Sequence, residues 1–283
     1  MDMRTLRGAA SVGFMRSLWA KVRHDDVLNG AAALAFYMTL AIFPAMIVVM
    51  AVIPYLPIEQ VDQALMQLLR QALPGHAADL FSDVVQEITT EQRGGLLSAG
   101  LAGSLWITST GMYAVMRQLN RTYGVRESRG FLRGRLTALG LSLLFGVLVI
   151  GGFSLIVLGD RLQGWLVVRL GGAWAMGWLF LAFRWVVILA GLLLAFALVE
   201  HLAPNRRQRF QLLTAGSITG VALLVCASVG FAWYTKYFGS YGATYGSIGA
   251  VILLMLWLFA AGLAILLSAE VNQQLRQRAS GNS

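Results

Sequence analysis

The sequence has few charged residues. Asp, Glu, Lys and Arg make up 12% of the 283 residues, whereas hydrophobic residues make up 58%. Soluble globular domains have about 25% charged and about 45–50% apolar residues. Too little polar surface remains to cover a water-soluble protein of this size. A soluble globular fold is therefore excluded, and lipid is the expected solvent.

Residues that bind metals or act as nucleophiles are also scarce. The single cysteine, Cys226, lies in an apolar run, which excludes an intrachain disulfide and a CxxC metal site. The three histidines, His24, His76 and His201, lie in different segments, and no HExxH, GxSxG, Walker A or GxGxxG motif occurs. We therefore predict no catalytic residue, no metal site and no cofactor.

Long apolar runs are what the sequence has in abundance. Six are long enough to cross a hydrocarbon core of about 30 Å as helices of about 20 residues. They run approximately over Ala31–Ile53, Leu96–Val115, Leu136–Leu158, Met176–Val199, Leu212–Tyr234 and Ile248–Ala269. The predicted fold is an all-α, polytopic bundle of about six spans that forms a single domain over residues 1–283.

Basic residues alternate from one side of these spans to the other. Of the 22 Lys and Arg residues, sixteen lie before span one, between spans two and three, between spans four and five, or after span six. Only five lie in the other connections. By the positive-inside rule, this bias predicts that both termini are cytoplasmic. The first span begins too late for a cleaved signal peptide, so we expect it to remain in the mature protein.

Three segments outside the spans have their own patterns. Within the cytoplasmic segment 1–29, Phe14–Arg23 is amphipathic and predicts an interfacial helix that binds anionic headgroups. The acidic loop 54–95 predicts a periplasmic helix pair, which is either a structural cover or a lid. The polar cytoplasmic tail 271–283 is expected to be loose from Gln273 onward.

Ionisable groups near the spans are candidates for function, because they are costly in a membrane. Arg184 lies within span four and either snorkels or is buried. Glu200 and Glu270 close spans four and six, where Arg206, Arg207 or Arg276 would be ordinary interfacial partners. Gly216 and Gly220 have GxxxG spacing, which is typical of close helix packing.

Ordered motifs along residues 25–275 are similar to those of one known family. They are Leu34-Ala35-Phe36-Tyr37, Leu40, Phe43-Pro44, Leu119-Asn120-Arg121, Tyr123, Val125, Pro204-Asn205, Gly216, Phe231, Tyr234, Tyr241, Tyr245-Gly246, Gly249, Leu256-Trp257-Leu258 and Ala269-Glu270. This set resembles the YihY/virulence factor BrkB family, once mislabelled as ribonuclease BN. The chain departs from it at Ala215, where proline is expected, and at Ser268, where glycine is expected; both were interpreted as packing positions.

The resemblance implies a bacterial inner-membrane protein, and some relatives are linked to serum resistance or to envelope-lipid export. Our candidates for a substrate path or gate are Tyr37, Pro44, Asn120, Arg184, Tyr241, Tyr245 and Glu270. Tyr37 and Pro44 are seven residues apart on one helical face, and the proline can kink the span. Each candidate also has a purely structural interpretation.

Several functions remain open from sequence alone. The leading hypothesis is transport or flipping of a lipid or other amphiphile. The alternative is a non-transporting envelope assembly protein that docks partners on its acidic outer loop. A solute or ion channel and a ribonuclease are remote alternatives. Membrane lipids are the expected partners, nucleic acid is not expected, and homo-oligomerisation is left open.

Overall fold

A computed structural model describes residues 12–52, 94–169, 174–206, 208–238 and 241–279. The predicted outer helix pair at 54–95 lies outside the described residues except for its last two positions. Seven α-helices form the described chain. They are α1 (Val12–His24), α2 (Val27–Val52), α3 (Gly94–Thr122), α4 (Phe131–Arg169), α5 (Trp174–Leu202), α6 (Ala215–Phe238) and α7 (Tyr241–Ala279).

The helices match the apolar runs of the sequence. Each of the six predicted spans overlaps one helix, from α2 to α7, and no strand occurs in the described ranges. Four segments are long and apolar enough to cross a membrane: Phe131–Gly152, Trp178–Leu202, Ala215–Lys236 and Val251–Arg278. Val27–Ile42 is a shorter apolar helix. The prediction of a polytopic helical membrane protein is confirmed, whereas its orientation stays a prediction.

The exposed surfaces of α4 and α5 are rich in large apolar side chains. Val147 is 68% exposed and Trp178 is 63% exposed. In each of these two helices, only 17% of the apolar window is buried within the protein. Such surfaces favour association in water, whereas hydrocarbon is the solvent in which they are stable.

The chain divides into two compact units. The first contains Met1–Leu28, Met116–Val225 and Leu263–Ser283, and the second contains Asn29–Val115 and Cys226–Gly262. The first unit holds most of the basic segments that the positive-inside rule predicts to be cytoplasmic. Its α7 portion continues as helix through the buried Asn272 and Gln274 to Ala279. The expectation of a loose tail from Gln273 onward is therefore wrong as far as Ala279.

Small residues allow close packing in both units. In the first unit, Cβ atoms at Gly216 and Gly220 would clash with the backbone or side chain of Ser268, as well as with Asn272 and the Phe196 ring. In the second unit, a Cβ at Gly262 would lie 3.3 Å from the Leu34 Cβ. The GxxxG interpretation as a packing motif is consistent with this geometry.

Local hydrogen bonds define where α6 begins. Thr214 precedes the helix, and its Oγ1 accepts a 2.9 Å bond from the backbone N–H of Ser217. In return, Ser217 Oγ accepts a 3.0 Å bond from the backbone N–H of Thr214. This reciprocal cap satisfies donors that the first turn of a helix leaves free. It also holds the Thr214 hydroxyl at the junction of α5, α6 and α7.

Candidate functional site

Two loops of the first unit are joined by Asn120. Its buried Oδ1 accepts a 2.7 Å bond from the backbone N–H of Asn205, and its Nδ2 donates to Glu127 Oε2, also at 2.7 Å. Asn205 Nδ2 donates in turn to Ser128 Oγ at 2.6 Å. Arg129 donates to the Ala203 carbonyl oxygen at 2.7 Å. The α3–α4 and α5–α6 loops therefore form one polar assembly, in which the Asn120 and Asn205 motifs meet.

A second polar cluster is centred on Glu200 at the end of α5. This side chain is only 4% exposed. Its Oε1 accepts a 2.7 Å bond from Ser268 Oγ of α7, and its Oε2 accepts bonds from Thr214 Oγ1 at 3.2 Å and from Asn272 Nδ2. Asn272 Oδ1 also accepts a 2.8 Å bond from Gly216 N–H. Three helices are thus joined through one buried carboxyl group, whose desolvation is partly offset by three donors.

A pocket lies beside Glu200. Most of the residues that line it are polar: Tyr123, Ala197, Glu200, His201, Gln208, Arg209, Gln211, Thr214 and Arg276. Arg276 Nη1 donates to Gln208 Oε1 at 2.7 Å, while Gln208 Nε2 donates to the Glu200 carbonyl oxygen. The free volume of the pocket is ≈ 10 Å³, which is enough for about one water molecule.

Tyr123 closes one side of this pocket. Burial raises the pKa of its phenol, and the nearby Glu200 carboxylate raises that pKa further. The Arg206 guanidinium carbon lies 6.0 Å from the centre of the Tyr123 ring. The phenol therefore stays neutral at physiological pH and presents a hydroxyl that can donate or accept a hydrogen bond.

A third polar group surrounds Glu270 on α7. Its side chain is fully buried, and Lys21 Nζ of α1 lies 3.7 Å from its Oε2. Asp25, in the turn after α1, is buried beside it. His24 Nδ1 lies 2.9 Å from Asp25 Oδ1. Among the residues that the structure describes, the ionic partner of Glu270 is thus Lys21 of the N-terminal helix, and neither Arg206 nor Arg276, which the sequence suggested.

The other sequence candidates are spread over the chain. Arg184 is buried against other residues of the protein, and whether it snorkels to the membrane interface stays a prediction. Tyr37 and Pro44 are half-buried in α2, within the second unit, and the Tyr37 ring packs edge-on against Phe36. Tyr241 and Tyr245 begin α7, and their side chains lie outside the described set. Only Asn120, Glu270 and Arg184 therefore have described side chains in the first unit, and no comparison tests their functional roles.

Sequence reasoning missed most of the Glu200 cluster. Ser268 was interpreted as a packing position, but its hydroxyl donates to the Glu200 carboxylate. Asn272 was not among the sequence candidates, although it lies four residues after Ser268 and therefore on the same helical face. That spacing was the available signal. Within the described parts of the chain, no group of three or more His, Cys, Asp and Glu residues is arranged to hold a metal ion.

Comparison with known proteins places the chain in a family. A family model described as virulence factor BrkB matches residues 18–283. The ribonuclease-like protein YfkH of Bacillus subtilis is 30% identical over 267 residues, which cover 94% of this chain and 96% of that protein.

Proteins named as UPF0761 membrane proteins are also similar. A UPF0761 membrane protein of Tolumonas auensis is 29% identical over 275 residues, covering 93% of this chain and 85% of the relative. One from Vibrio vulnificus is 24% identical over 278 residues, covering 96% and 85%. No solved structure matches the chain. The resemblance noted in the sequence is confirmed, and the chain belongs to the virulence factor BrkB family of multi-pass membrane proteins.

Proposed function

We propose that this protein moves a lipid or other amphiphile across, or out of, the bacterial inner membrane during envelope biogenesis. The observation that carries the proposal is the pocket beside Glu200. Arg209, Arg276 and Gln208 bring cationic and amide donors to the ends of helices whose outer surfaces are apolar. Guanidinium groups bind phosphate through paired N–H donors. An anionic headgroup would therefore be received in the pocket while its acyl chains remain in lipid.

The described conformation is closed to such a headgroup. The free volume of the pocket is only ≈ 10 Å³, which is room for about one water molecule. The pocket must therefore widen before a phosphate group can enter. The bond between Arg276 and Gln208 occupies the guanidinium in this state. Entry of a phosphate would replace that neutral acceptor with a charged one, which forms a stronger hydrogen bond.

The proposal includes a location and partners. The charge bias supports a cytoplasmic position for both termini and hence for the pocket. Exposed Arg16 and Arg23 on α1 add positive charge on that side, which favours anionic lipid headgroups. Transport in this form makes and breaks no covalent bond, involves no nucleic acid, and is compatible with a monomer or a homo-oligomer.

Translocation of labelled lipid by the purified full-length chain in liposomes tests the proposal. Phospholipids of several headgroup classes would carry a fluorophore that an impermeant reductant quenches only in the outer leaflet. We expect quenching beyond the outer-leaflet fraction, and faster loss for anionic than for zwitterionic headgroups. Rates equal to those of empty liposomes for every class, with and without a pH gradient, would refute transport and favour the assembly alternative.

A further inference from the structure

Two buried glutamates of the first unit have opposite surroundings. Glu200 accepts hydrogen bonds from three side-chain donors. Glu270 is 0% exposed, and its carboxylate oxygens make no well-formed hydrogen bond to a described residue; their nearest polar neighbours are the Thr122 hydroxyl and the Asp25 carboxyl group. Lys21 Nζ, at 3.7 Å, is beyond hydrogen-bond distance. A buried carboxylate without a well-formed hydrogen bond is destabilising, so Glu270 is unusual for a side chain with only a structural role.

Two other buried oxygen atoms near Glu270 also lack a well-formed hydrogen bond. Thr122, at the end of α3, presents its hydroxyl group to the Glu270 carboxyl group, but the two make no well-formed hydrogen bond in the described chain. Gln274 Oε1, one helical turn farther along α7, is likewise buried and unpaired there. The Thr122 hydroxyl can donate only one hydrogen, whereas the two Glu270 oxygens and Gln274 Oε1 all accept, so the site has fewer donors than acceptors.

The charged side chains that face Glu270 also leave its carboxyl group short of positive partners. Lys21 of α1 supplies one positive charge, and Asp25 of the α1–α2 turn supplies a second carboxyl group. Tyr123, after α3, is neutral. Two carboxylates and one ammonium sum to one net negative charge, which a proton on the carboxyl pair or on the neighbouring His24 imidazole would balance. Adjacent carboxyl groups balance such a charge by sharing a proton.

We propose that Glu270 and Asp25 form a proton-binding site, with Lys21 as its fixed counter-charge and His24 as its connection to solvent. The His24 side chain is 86% exposed and contacts Asp25 Oδ1 at 2.9 Å. An imidazole in that position takes a proton from water on one ring nitrogen and passes one to the carboxyl pair from the other. Sodium fits less well, because the Lys21 ammonium already lies 3.7 Å from Glu270 Oε2.

This site is independent of the lipid proposal. Neither Asp25 nor Glu270 lines the pocket beside Glu200, and proton binding is measurable without a transported substrate. A failure to translocate lipid would therefore not contradict the proton site. The absence of a bound proton would not contradict the lipid pocket.

Infrared spectroscopy of the full-length chain in lipid tests the proton site, because a protonated carboxyl group has a C=O stretch that shifts in deuterium oxide. We expect this band in the wild type at neutral pH, its loss in Glu270→Gln and in Asp25→Asn, and its retention in Glu200→Gln. A wild type without the band, or a band that survives in both folded Glu270→Gln and folded Asp25→Asn, would overturn the site. Loss of the wild-type band on adding sodium at constant pH would replace the proton by sodium.

The exposed histidine provides a second test that leaves the buried carboxyl pair intact. After a rapid change from water to deuterium oxide, we expect the carboxyl band to shift at least about tenfold more slowly in His24→Ala than in the wild type. The matched control is Arg23→Ala, an exposed neighbour, for which we expect the wild-type rate. Equal rates in His24→Ala and in the wild type would remove His24 from the proposal.

Discussion

Asn120 and Asn205 are 85 residues apart in the chain, and a 2.7 Å hydrogen bond joins the Asn120 side chain to the Asn205 backbone. This bond joins two of the motifs that carry the family resemblance, Leu119-Asn120-Arg121 and Pro204-Asn205. It also connects the loop before α4 to the loop before α6 through a side chain that is only 4% exposed. The loop that ends at the Glu200 cluster is therefore positioned from α3.

Replacing Asn120 by alanine is expected to destabilise the first unit by about 1–3 kcal/mol, because the Asn205 N–H loses its acceptor and Glu127 loses a donor. Thermal unfolding in detergent would measure the loss. Arg121→Ala is the matched control, since Arg121 is the next residue and is exposed; we expect a change within about 0.5 kcal/mol. Equal stability of the two variants would show that the Asn120 bonds contribute little.

Gly216→Ala is expected to destabilise α6 packing by about 1–3 kcal/mol, because a Cβ there overlaps the Ser268 carbonyl oxygen and the Asn272 side chain. Gly230 lies on the same helix with open space around its Cα. Gly230→Ala is therefore expected to be neutral, or to stabilise by as much as about 1 kcal/mol through helix propensity. Melting temperatures in the same detergent would compare them, and a Gly216→Ala protein as stable as Gly230→Ala would contradict the packing.

The bond between Ser268 and Glu200 is expected to appear as coupling in a double-mutant cycle. Ser268→Ala and Glu200→Gln each disturb the same 2.7 Å contact. Their effects on the free energy of unfolding should therefore differ from additivity by about 0.5–3 kcal/mol. Additive effects within about 0.3 kcal/mol would mean that the two side chains are independent. Ser268→Gly, the residue that the family resemblance predicts, should lose the same coupling.

The orientation of the chain is expected to be visible by thiol labelling of intact cells. In a Cys226→Ala background, a membrane-impermeant maleimide should label Ser82→Cys, in the predicted periplasmic loop. It should leave Ser11→Cys and Ser283→Cys unlabelled until the membrane is permeabilised. Labelling of either terminal cysteine in intact cells would overturn the prediction that both termini are cytoplasmic.

The helices were predictable from sequence because hydropathy is a local property. Each apolar run became one helix, and the amphipathic segment Phe14–Arg23 lies within α1. The end of α7 was not predicted, since the polar residues after Ala269 looked solvated. Asn272 and Gln274 are buried instead, and the Asn272 amide is paired with the Glu200 carboxyl group and with the backbone N–H of Gly216. A hydropathy scale cannot distinguish a satisfied buried amide from a solvated one.

The candidate site was only partly predictable for a similar reason. Glu270 was identified because a carboxylate beside a span is costly, but its partner Lys21 is 249 positions earlier in the sequence. Ser268 and Thr214 carry no signal on their own, since small hydroxyl residues are common in membrane helices. They become meaningful only when the fold places them against Glu200.

The most direct test of the central claim is the lipid translocation rate of Arg276→Gln, measured in liposomes beside Arg133→Gln. Arg276 lines the pocket, whereas Arg133 is exposed on α4 outside it. If the pocket receives the headgroup, Arg276→Gln should translocate anionic lipid at least about tenfold more slowly than the wild type, corresponding to about 1.4 kcal/mol. Arg133→Gln should stay within about twofold of the wild type. A folded Arg276→Gln protein that translocates lipid at the wild-type rate would contradict the account.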